Sequence, residues 1–400
     1  MRRAVVITGV GAVTPLGVGA DALIDGWTAG ASAIEDGLGR CTRFDPRQAL
    51  TRKQVHRSDR FTQLALTAAA EALAGAGWAD ELPYPPERVG CIVGSGVGGV
   101  ETFTSQQATF DERGAAACSP LGVPMMMPNA ASGAIAMRHG ITGPNWSVAS
   151  ACAAGAHAIG TAARLVQIGE ADAILTGGAE AAIAPLVVAA FARMGATSRA
   201  GVSRPFDARR DGFVLGEGAG MLVLEEAEAA RARGAEPLGR LLGYAATADA
   251  YHLTAPDPTG DGPARAIALA LEEAGVGVED VDYVNAHGTA TPLNDRVETD
   301  AIKRVFGDAA ARLPVSSLKS AIGHLLGASG AVEAVATVLA LRRRVAPPTV
   351  NWAAAEEGLD LDYVPVRAKP LRAAARERQA VGISNSFGFG GHHAVLCIAA

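Results

Sequence analysis

The chain has 400 residues, of which 49% are hydrophobic and 19% are charged, so there is ample apolar material for a large core. Its formal net charge is −6 and no dense basic cluster occurs, which argues against a nucleic-acid-binding surface. No apolar run approaches the roughly 20 residues that cross a bilayer. The five cysteines form no CxxC pair, which disfavours a zinc site or a disulfide framework. These features predict a soluble, cytoplasmic protein.

Short β-branched runs alternate along the chain with longer helical stretches, which predicts an α/β fold. The predicted strands cover 4–8, 90–93, 173–176, 220–224, 281–285 and 380–384. The predicted helices cover 60–75, 153–169, 262–274 and 328–343. The segment 380–398 is predicted to form two strands joined by a glycine-rich loop at 387–391.

Two helices rich in small residues form a weak internal repeat. The first reads CAAGAHAIGTAARL and precedes a strand ending in GGAEA, and the second reads GHLLGASGAVEAVATVL. Small residues let a helix approach its neighbours closely, so both helices are expected at the centre of the molecule. A division near residue 240 would give two similar α/β halves, 1–240 and 241–400.

Cys152 stands in VASACAAGAHAIG, where an apolar strand-like run meets the first of these helices. The positive end of a helix dipole stabilises a thiolate, so the sequence predicts a lowered thiol pKa at this position. The small neighbours would leave room for an acyl group. A buried structural cysteine is the alternative interpretation.

His287 stands in VDYVNAHGTATPLND, after a predicted strand and before a glycine turn. It could therefore project from the strand end into a cleft. Thr289 and Thr291 follow in alternation and could offer hydroxyls to a polar ligand. In the last segment, ISNSFGFGG, glycines would let the backbone approach a ligand that Phe389 could cover.

Lys319, His324 and Glu333 lie in VSSLKSAIGHLLGASGAVE, a run that is otherwise apolar or small. A buried lysine and a buried glutamate are costly unless they pair, so a Lys319–Glu333 ion pair is expected. One cysteine, two histidines and such a pair suit acyl transfer through a thioester. These residues do not separate a cysteine hydrolase from a condensing enzyme.

The four segments, in this order, resemble those of the elongating β-ketoacyl-acyl-carrier-protein synthases of the thiolase-like superfamily, of the synthase II type. The resemblance extends from VVITGVGAVTPLG at 5–17, through RPFDARRDGFVLGEGAG at 204–220, to the terminal GFGG. It implies a five-layered α/β/α/β/α fold of two pseudo-symmetric halves, with no cofactor. The implied reaction is decarboxylative Claisen condensation in fatty-acid or type II polyketide elongation.

The resemblance also implies a role for each motif residue. Cys152 in ACxxG matches the acyl-accepting cysteine, and His287 in NAHGT and His324 in KSxxGH match the histidines that support decarboxylation and condensation. Lys319 and Glu333 match a pair that orders the site.

Further roles follow from the same resemblance. The backbone N–H groups of Cys152 and Phe389 would form an oxyanion hole, and Phe389 would gate the acyl pocket. Thr289 and Thr291 would hold the phosphopantetheine arm. Some members of the family hold a monovalent cation, and the matching positions here are Asn285, Ala286, Glu333, Ser384 and Asn385.

The chain departs from the family pattern at three places, the first of which is the loop GATSRAGVS at 195–203, shorter than the usual one. His392 and His393 follow GFGG, where Asn is common at the second position, and this puts the local hydrogen bonding in doubt. Gly122 and Met125 stand near the expected acyl pocket, where bulkier or more polar residues are common. These departures hint at a relative from secondary metabolism.

The implied partners are an acyl carrier protein and a second subunit, either a copy of this chain or a chain-length factor. A non-catalytic chain-length factor is itself the main alternative, but such proteins typically replace the active cysteine. A degradative thiolase expects a second catalytic cysteine, and Cys397 is poorly placed for that role. No nucleic acid or membrane partner is expected.

Overall fold

The computed structural model describes residues 2–372 and 378–400 of the chain. Its strands are β1 (Val5–Thr14), β2 (Gly17–Val18), β3 (Leu38–Gly39), β4 (Val89–Gly94), β5 (Asn145–Val148), β6 (Ala173–Glu180), β7 (Leu215–Gly216), β8 (Gly218–Glu226), β9 (Gly239–Ala248), β10 (Tyr283–Asn285), β11 (Val315–Ser316), β12 (Val345–Ala346), β13 (Lys369–Pro370), β14 (Val381–Gly388) and β15 (His392–Ala399). Its α-helices are α1 (Ala20–Thr28), α2 (Arg52–His56), α3 (Arg60–Gly75), α4 (Val100–Arg113), α5 (Gly122–Met126), α6 (Ala130–His139), α7 (Ala154–Ile168), α8 (Pro185–Met194), α9 (Ala227–Ala232), α10 (Asp261–Ala274), α11 (Pro292–Phe306), α12 (Lys319–Ile322) and α13 (Ser329–Arg343). Among these helices none is long and apolar enough to cross a membrane.

The strand order repeats between the two parts of the chain. The first part is arranged β1-β8-β6-β4-β5 and the second β9-β15-β14-β10-β11, and pairing of β1 with β9 joins them. In both parts the first two pairings are antiparallel and the last two are parallel. The molecule is therefore built from two pseudo-symmetric α/β halves. The predicted division at residue 240 falls within β9 and stays a prediction.

Helices lie in three layers around the two sheet halves. α7 and α13 pack against each other and contact strands of both halves, so they form the central layer. α3 covers β1, β8 and β6 on one outer side, and α10 covers β9 and β15 on the other. This is the five-layered arrangement that the resemblance implied.

Glycines explain why the central helices approach so closely. A Cβ atom on Gly155 of α7 would lie 2.8 Å from the backbone nitrogen of Ala331 in α13. A Cβ atom on Gly330 would lie 2.9 Å from the backbone nitrogen of Ala156. Neither position has room for a side chain, which gives a packing reason for the small-residue repeat in the sequence.

One prediction from the sequence needs correction at the first strand. The predicted strand ended at residue 8 and entered a loop, whereas β1 continues to Thr14. Gly9 and Gly11 do not break the strand. Their lack of a side chain leaves room for the backbone of α3, which packs directly against them. A Cβ atom on Gly9 would lie 2.0 Å from the carbonyl oxygen of Ala72.

Candidate active site

Cys152 lies in a tight turn between β5 and α7. The preceding residue, Ala151, has a φ of 49°, a left-handed conformation that an L-residue adopts at a cost of about 1–3 kcal/mol. The Cys152 side chain is buried, and its Sγ atom lies 3.0 Å from Nε2 of His324. The strained turn thus presents the sulfur to a histidine from the second half of the molecule.

The expectation of a lowered thiol pKa at Cys152 was wrong. Burial raises the pKa of the Cys152 thiol to about 11, although the Lys319 charge and the backbone N–H of Phe389 act in the opposite direction. Desolvation outweighs these opposing interactions because the sulfur has little contact with water. The resting side chain at neutral pH is the thiol.

His324 follows α12 and is fixed through its backbone and its ring. Its N–H donates to the carbonyl oxygen of Val214 at 2.7 Å, and its ring makes an edge contact with Phe213 at a centroid distance of 5.3 Å. The ring also makes an edge contact with His287 at 5.5 Å. Burial and the Lys319 charge lower the pKa of His324 well below its usual range, so the ring is neutral.

His287 lies just after β10, as predicted, and a buried carboxylate holds its turn. Glu298 in α11 accepts from the backbone N–H of His287 at 2.8 Å and from that of Gly288 at 2.7 Å. Burial raises the pKa of Glu298 to about 7. Sequence reasoning missed Glu298, because nothing in the helical segment PLNDRVETD marks one of its acidic residues as buried.

Lys319 and Glu333 form a buried ion pair beside His287, with 1% and 2% of each residue exposed. The ammonium group also lies 2.7 Å from the carbonyl oxygen of His287 and 3.3 Å from its Nδ1 atom. Since an ammonium group can only donate, Nδ1 of His287 is an acceptor and the ring proton resides on Nε2. Burial and Lys319 lower the pKa of His287 well below its usual range.

Cys152, His287 and His324 line one cavity of about 280 Å³. Phe389 also lines it, and its backbone N–H donates to the Cys152 sulfur. Gly388 brings this strand end close, because a Cβ atom there would lie only 3.2 Å from the Cys152 nitrogen. The four side chains come from both halves of the molecule and meet at this cavity.

Thr289 and Thr291 also line this cavity, with their hydroxyl oxygens 2.9 Å apart. Gly122 does not: it lines a separate groove between α4 and α5, and Met125 lines neither. The structure therefore does not bring Gly122 and Met125 to the thiol within this chain. The reason is that α5 packs on α4 rather than against the strand ends that carry the site.

His393, the second residue after GFGG, answers in part the doubt that the sequence raised about local hydrogen bonding: its Nε2 atom is paired, whereas its buried Nδ1 atom has no hydrogen-bond partner among the described residues. Its Nε2 atom lies 2.6 Å from Oδ1 of Asp249, and both side chains are buried. The Asp249 backbone N–H donates to the carbonyl oxygen of Gly391 at 3.0 Å. Asp249 was not singled out in the sequence, because its partner is distant along the chain.

A cluster of buried oxygens lies beside the Lys319–Glu333 pair. Asn285 and Ser384 are paired across β10 and β14, and the Asn285 amide donates to the backbone carbonyl oxygen of Glu333 at 3.1 Å. Within the described residues, Asn285 Oδ1, Glu333 Oε2 and Ser384 Oγ are buried here without a hydrogen-bond partner. Asn385 Oδ1 is also unpaired, but Asn385 follows Ser384 along β14 and its amide donates to Glu298, so its side chain lies on the other face of the sheet. Unpaired buried oxygens of this kind suit a hard cation.

Comparison with known proteins places the chain in a family. The model of the beta-ketoacyl synthase N-terminal domain matches residues 2–230, and that of the C-terminal domain matches residues 238–353. The chain is 46% identical to 3-oxoacyl-[acyl-carrier-protein] synthase 2 of Synechocystis sp., covering 99% of this chain and 97% of the relative. It is 43% identical to the synthase 2 of Rhizobium meliloti, covering 100% and 99% respectively.

Solved structures agree with this placement. A type II PKS ketosynthase in complex with its acyl-carrier protein and bound to the hexaketide superimposes with a TM-score of 0.90 at 29% identity, covering 100% of both chains. The ishigamide ketosynthase/chain length factor also gives a TM-score of 0.90, at 34% identity and 100% coverage of both chains. Both share the thiolase-like fold described above. The chain therefore belongs to the β-ketoacyl synthase family of condensing enzymes.

Proposed function

We propose that this chain extends acyl chains by decarboxylative Claisen condensation between an acyl group on Cys152 and malonyl-acyl-carrier protein. The observation that carries the proposal is the meeting of Cys152 Sγ and His324 Nε2 at 3.0 Å, with the His287 ring in contact, in one cavity. Fatty-acid and type II polyketide elongation use the same chemistry. The presence of Cys152, His287 and His324 argues against a non-catalytic chain-length factor.

The first half-reaction transfers the acyl group to the enzyme. The Cys152 sulfur attacks the carbonyl carbon of the incoming thioester, a new C–S bond forms, and the bond to the carrier's sulfur breaks. The thiol proton leaves with the carrier's sulfur. The backbone N–H groups of Cys152 and Phe389 would donate to the oxygen that becomes negative, and Phe389 would gate entry of the acyl chain.

The second half-reaction forms the carbon–carbon bond. The malonyl group loses CO₂, and the N–H groups on Nε2 of His287 and His324 would stabilise the resulting enolate oxygen. The enolate carbon then attacks the acyl carbonyl carbon, and the Cys152 sulfur leaves as a thiolate that takes up a proton. The Lys319–Glu333 pair would keep the His287 proton on Nε2. Thr289 and Thr291 would hold the phosphopantetheine arm through their hydroxyls.

The carrier and the subunit partner follow from the relatives. Relatives at 43–46% identity are named acyl-carrier-protein synthases, and neighbours of known structure include complexes with an acyl-carrier protein and with a chain length factor. We therefore propose an acyl carrier protein as the substrate carrier and a dimer with a second copy or a chain-length factor. The five cysteines are free, which suits the reducing cytoplasm.

A monovalent cation fits the cluster of unpaired oxygens beside Glu333. Asn285, Glu333 and Ser384 would offer side-chain oxygens, and Ala286 and Asn385 would contribute through their backbone carbonyls. A bound cation would supply charge that offsets the cost of burying these oxygens. The test is the thermal midpoint in KCl, NaCl and choline chloride at equal ionic strength, where an equal midpoint in all three would count against the site.

The main experiment follows both half-reactions by mass spectrometry. The protein is mixed with an acyl-carrier thioester to detect acylation, and malonyl-carrier protein is then added to detect the extended product. Cys152→Ala should abolish acylation, whereas Cys118→Ala, which changes a half-buried cysteine outside the cavity, should not. His287→Ala should retain acylation but lower the rate of condensation on the order of 10²–10³-fold. A stable adduct on another cysteine would overturn the assignment.

A further inference from the structure

Ser329, the first residue of α13, contacts the edge of the His324 ring that faces away from the thiol. Its Oγ atom lies 2.8 Å from Nδ1 of His324, while the other ring nitrogen lies 3.0 Å from the Cys152 sulfur. The Oγ atom is also 3.0 Å from the backbone nitrogen of Leu325. Ser329 is buried, with 2% of its surface exposed.

The hydrogen bonds of this serine determine where the ring proton resides. The backbone N–H of Leu325 can only donate, so Oγ accepts from it. If Nδ1 of His324 also donated to Oγ, the Ser329 hydroxyl hydrogen would have no acceptor among the described residues. An unpaired buried donor costs about 1–3 kcal/mol. If the hydroxyl donates to Nδ1 instead, the Leu325 N–H, the Ser329 hydroxyl and Nδ1 of His324 all have a hydrogen-bond partner.

Because the His324 ring is neutral, the direction of the hydrogen bond with Ser329 determines which ring nitrogen carries the proton. Burial and the Lys319 charge both disfavour the doubly protonated ring and lower its pKa, so His324 carries one proton and must have it on one nitrogen or the other. With Nδ1 accepting from Ser329, that proton is on Nε2 and points at the Cys152 sulfur.

We propose that Ser329 is a positioning residue that fixes the tautomer of His324, so that His324 acts as a hydrogen-bond donor toward Cys152 and its acyl adduct. The inference rests on the proposed condensation at Cys152. The proposal adds that His324 is not the base that removes the thiol proton, because Nε2 already carries the ring proton and cannot accept another. The same N–H then faces the enolate oxygen in the second half-reaction.

The test measures the tautomer directly in the full-length protein labelled with ¹⁵N-histidine. The His324 signals are assigned by their loss in His324→Gln, since the chain has eight histidines. The parent should show a protonated Nε2 and an unprotonated Nδ1. Ser329→Ala should populate the other tautomer and lower kcat for condensation at least about tenfold with KM unchanged, and Ser329→Thr, which keeps the hydroxyl, should recover both.

Ser320→Ala is the matched control. Ser320 is equally buried, and its hydroxyl accepts from the Val350 N–H at 2.9 Å and donates to the Ser317 carbonyl oxygen at 2.7 Å, but its bonds involve no histidine. It should leave the His324 signals unchanged. A parent with the proton on Nδ1, or a Ser329→Ala variant with an unchanged tautomer and a rate within about twofold of the parent, would overturn the proposal. Because the tautomer is read without substrate, a parent that makes no product would instead overturn the proposed function.

Discussion

The buried Lys319–Glu333 pair gives the clearest prediction about stability. Lys319→Met would leave the Glu333 carboxylate buried without its partner, and breaking a buried pair in this way typically costs about 3–5 kcal/mol. Glu333→Met would cost less, because the ammonium group retains the carbonyl oxygen and Nδ1 of His287 as acceptors. Replacing both residues with methionine removes both buried charges and retains most of the volume. The double variant should therefore lose much less unfolding free energy than the two single variants lose in sum.

The assay is urea unfolding of the parent, both single variants and the double variant. We expect a coupling free energy of at least about 2 kcal/mol between the two sites, within the range seen for contacting residues. Condensation should remain impaired in the double variant, because Nδ1 of His287 has lost its donor. A coupling energy below about 0.5 kcal/mol would show that the two charges do not depend on each other, and would refute the reasoning.

Three further predictions concern the acyl gate, pH dependence and packing. Phe389→Ala should leave the fold intact but change the single-turnover rate of Cys152 acylation across a series of acyl-chain lengths. If the variant is acylated at the parent rate at every chain length, Phe389 lines the acyl pocket without gating it. Burial lowers the pKa of His157 to about 4, so between pH 6.5 and 4 the unfolded state binds a proton that the folded state does not, and stability falls as pH falls. The unfolding free energy of the parent relative to His157→Gln should therefore be about 2 kcal/mol lower at pH 5 than at pH 7.5, and a pH-independent difference would contradict this. Gly160→Ala should lower stability by about 1–3 kcal/mol, because the new Cβ would lie 2.3 Å from the Tyr244 ring. Gly133→Ala, with nothing within 4 Å in α6, should raise the unfolding free energy by up to about 1 kcal/mol, and equal changes in both variants would contradict the packing argument.

The sequence predicted the elements with strong local patterns and missed those whose pattern depends on neighbours. The helix predicted over 60–75 coincides with α3, and the predicted helix at 328–343 differs from α13 by one residue. By contrast, β14 extends through Gly388, inside the segment predicted as a loop, because β15 pairs with it along its whole length. Glycine is a poor local indicator at such positions, since a neighbouring strand or helix decides whether it lies in a strand or a turn.

The same distinction holds for the candidate site. Local motifs were enough to single out Cys152, His287, His324 and the Lys319–Glu333 pair, because each stands in an unusual setting of small or apolar residues. Glu298 could not be found in this way, because its contact with the His287 turn is made by folding α11 back onto that turn. The thiol pKa was also predicted in the wrong direction, because a helix end is visible in sequence and the depth of burial is not.

The sequence by itself therefore determined the family, the chemistry-bearing residues and the central place of the two small-residue helices, because these depend on residue type and short-range spacing. Only the tertiary structure decided that Nε2 of His324 lies 3.0 Å from the Cys152 sulfur, that Ser329 accounts for the other ring nitrogen, and that Gly122 lies outside the cavity. The contact between His324 and Cys152 joins residues that are far apart in the chain and follows from how the two halves pack around the central helices. The Ser329 contact spans only five residues, but it depends on how the chain turns into α13, which the sequence pattern does not show.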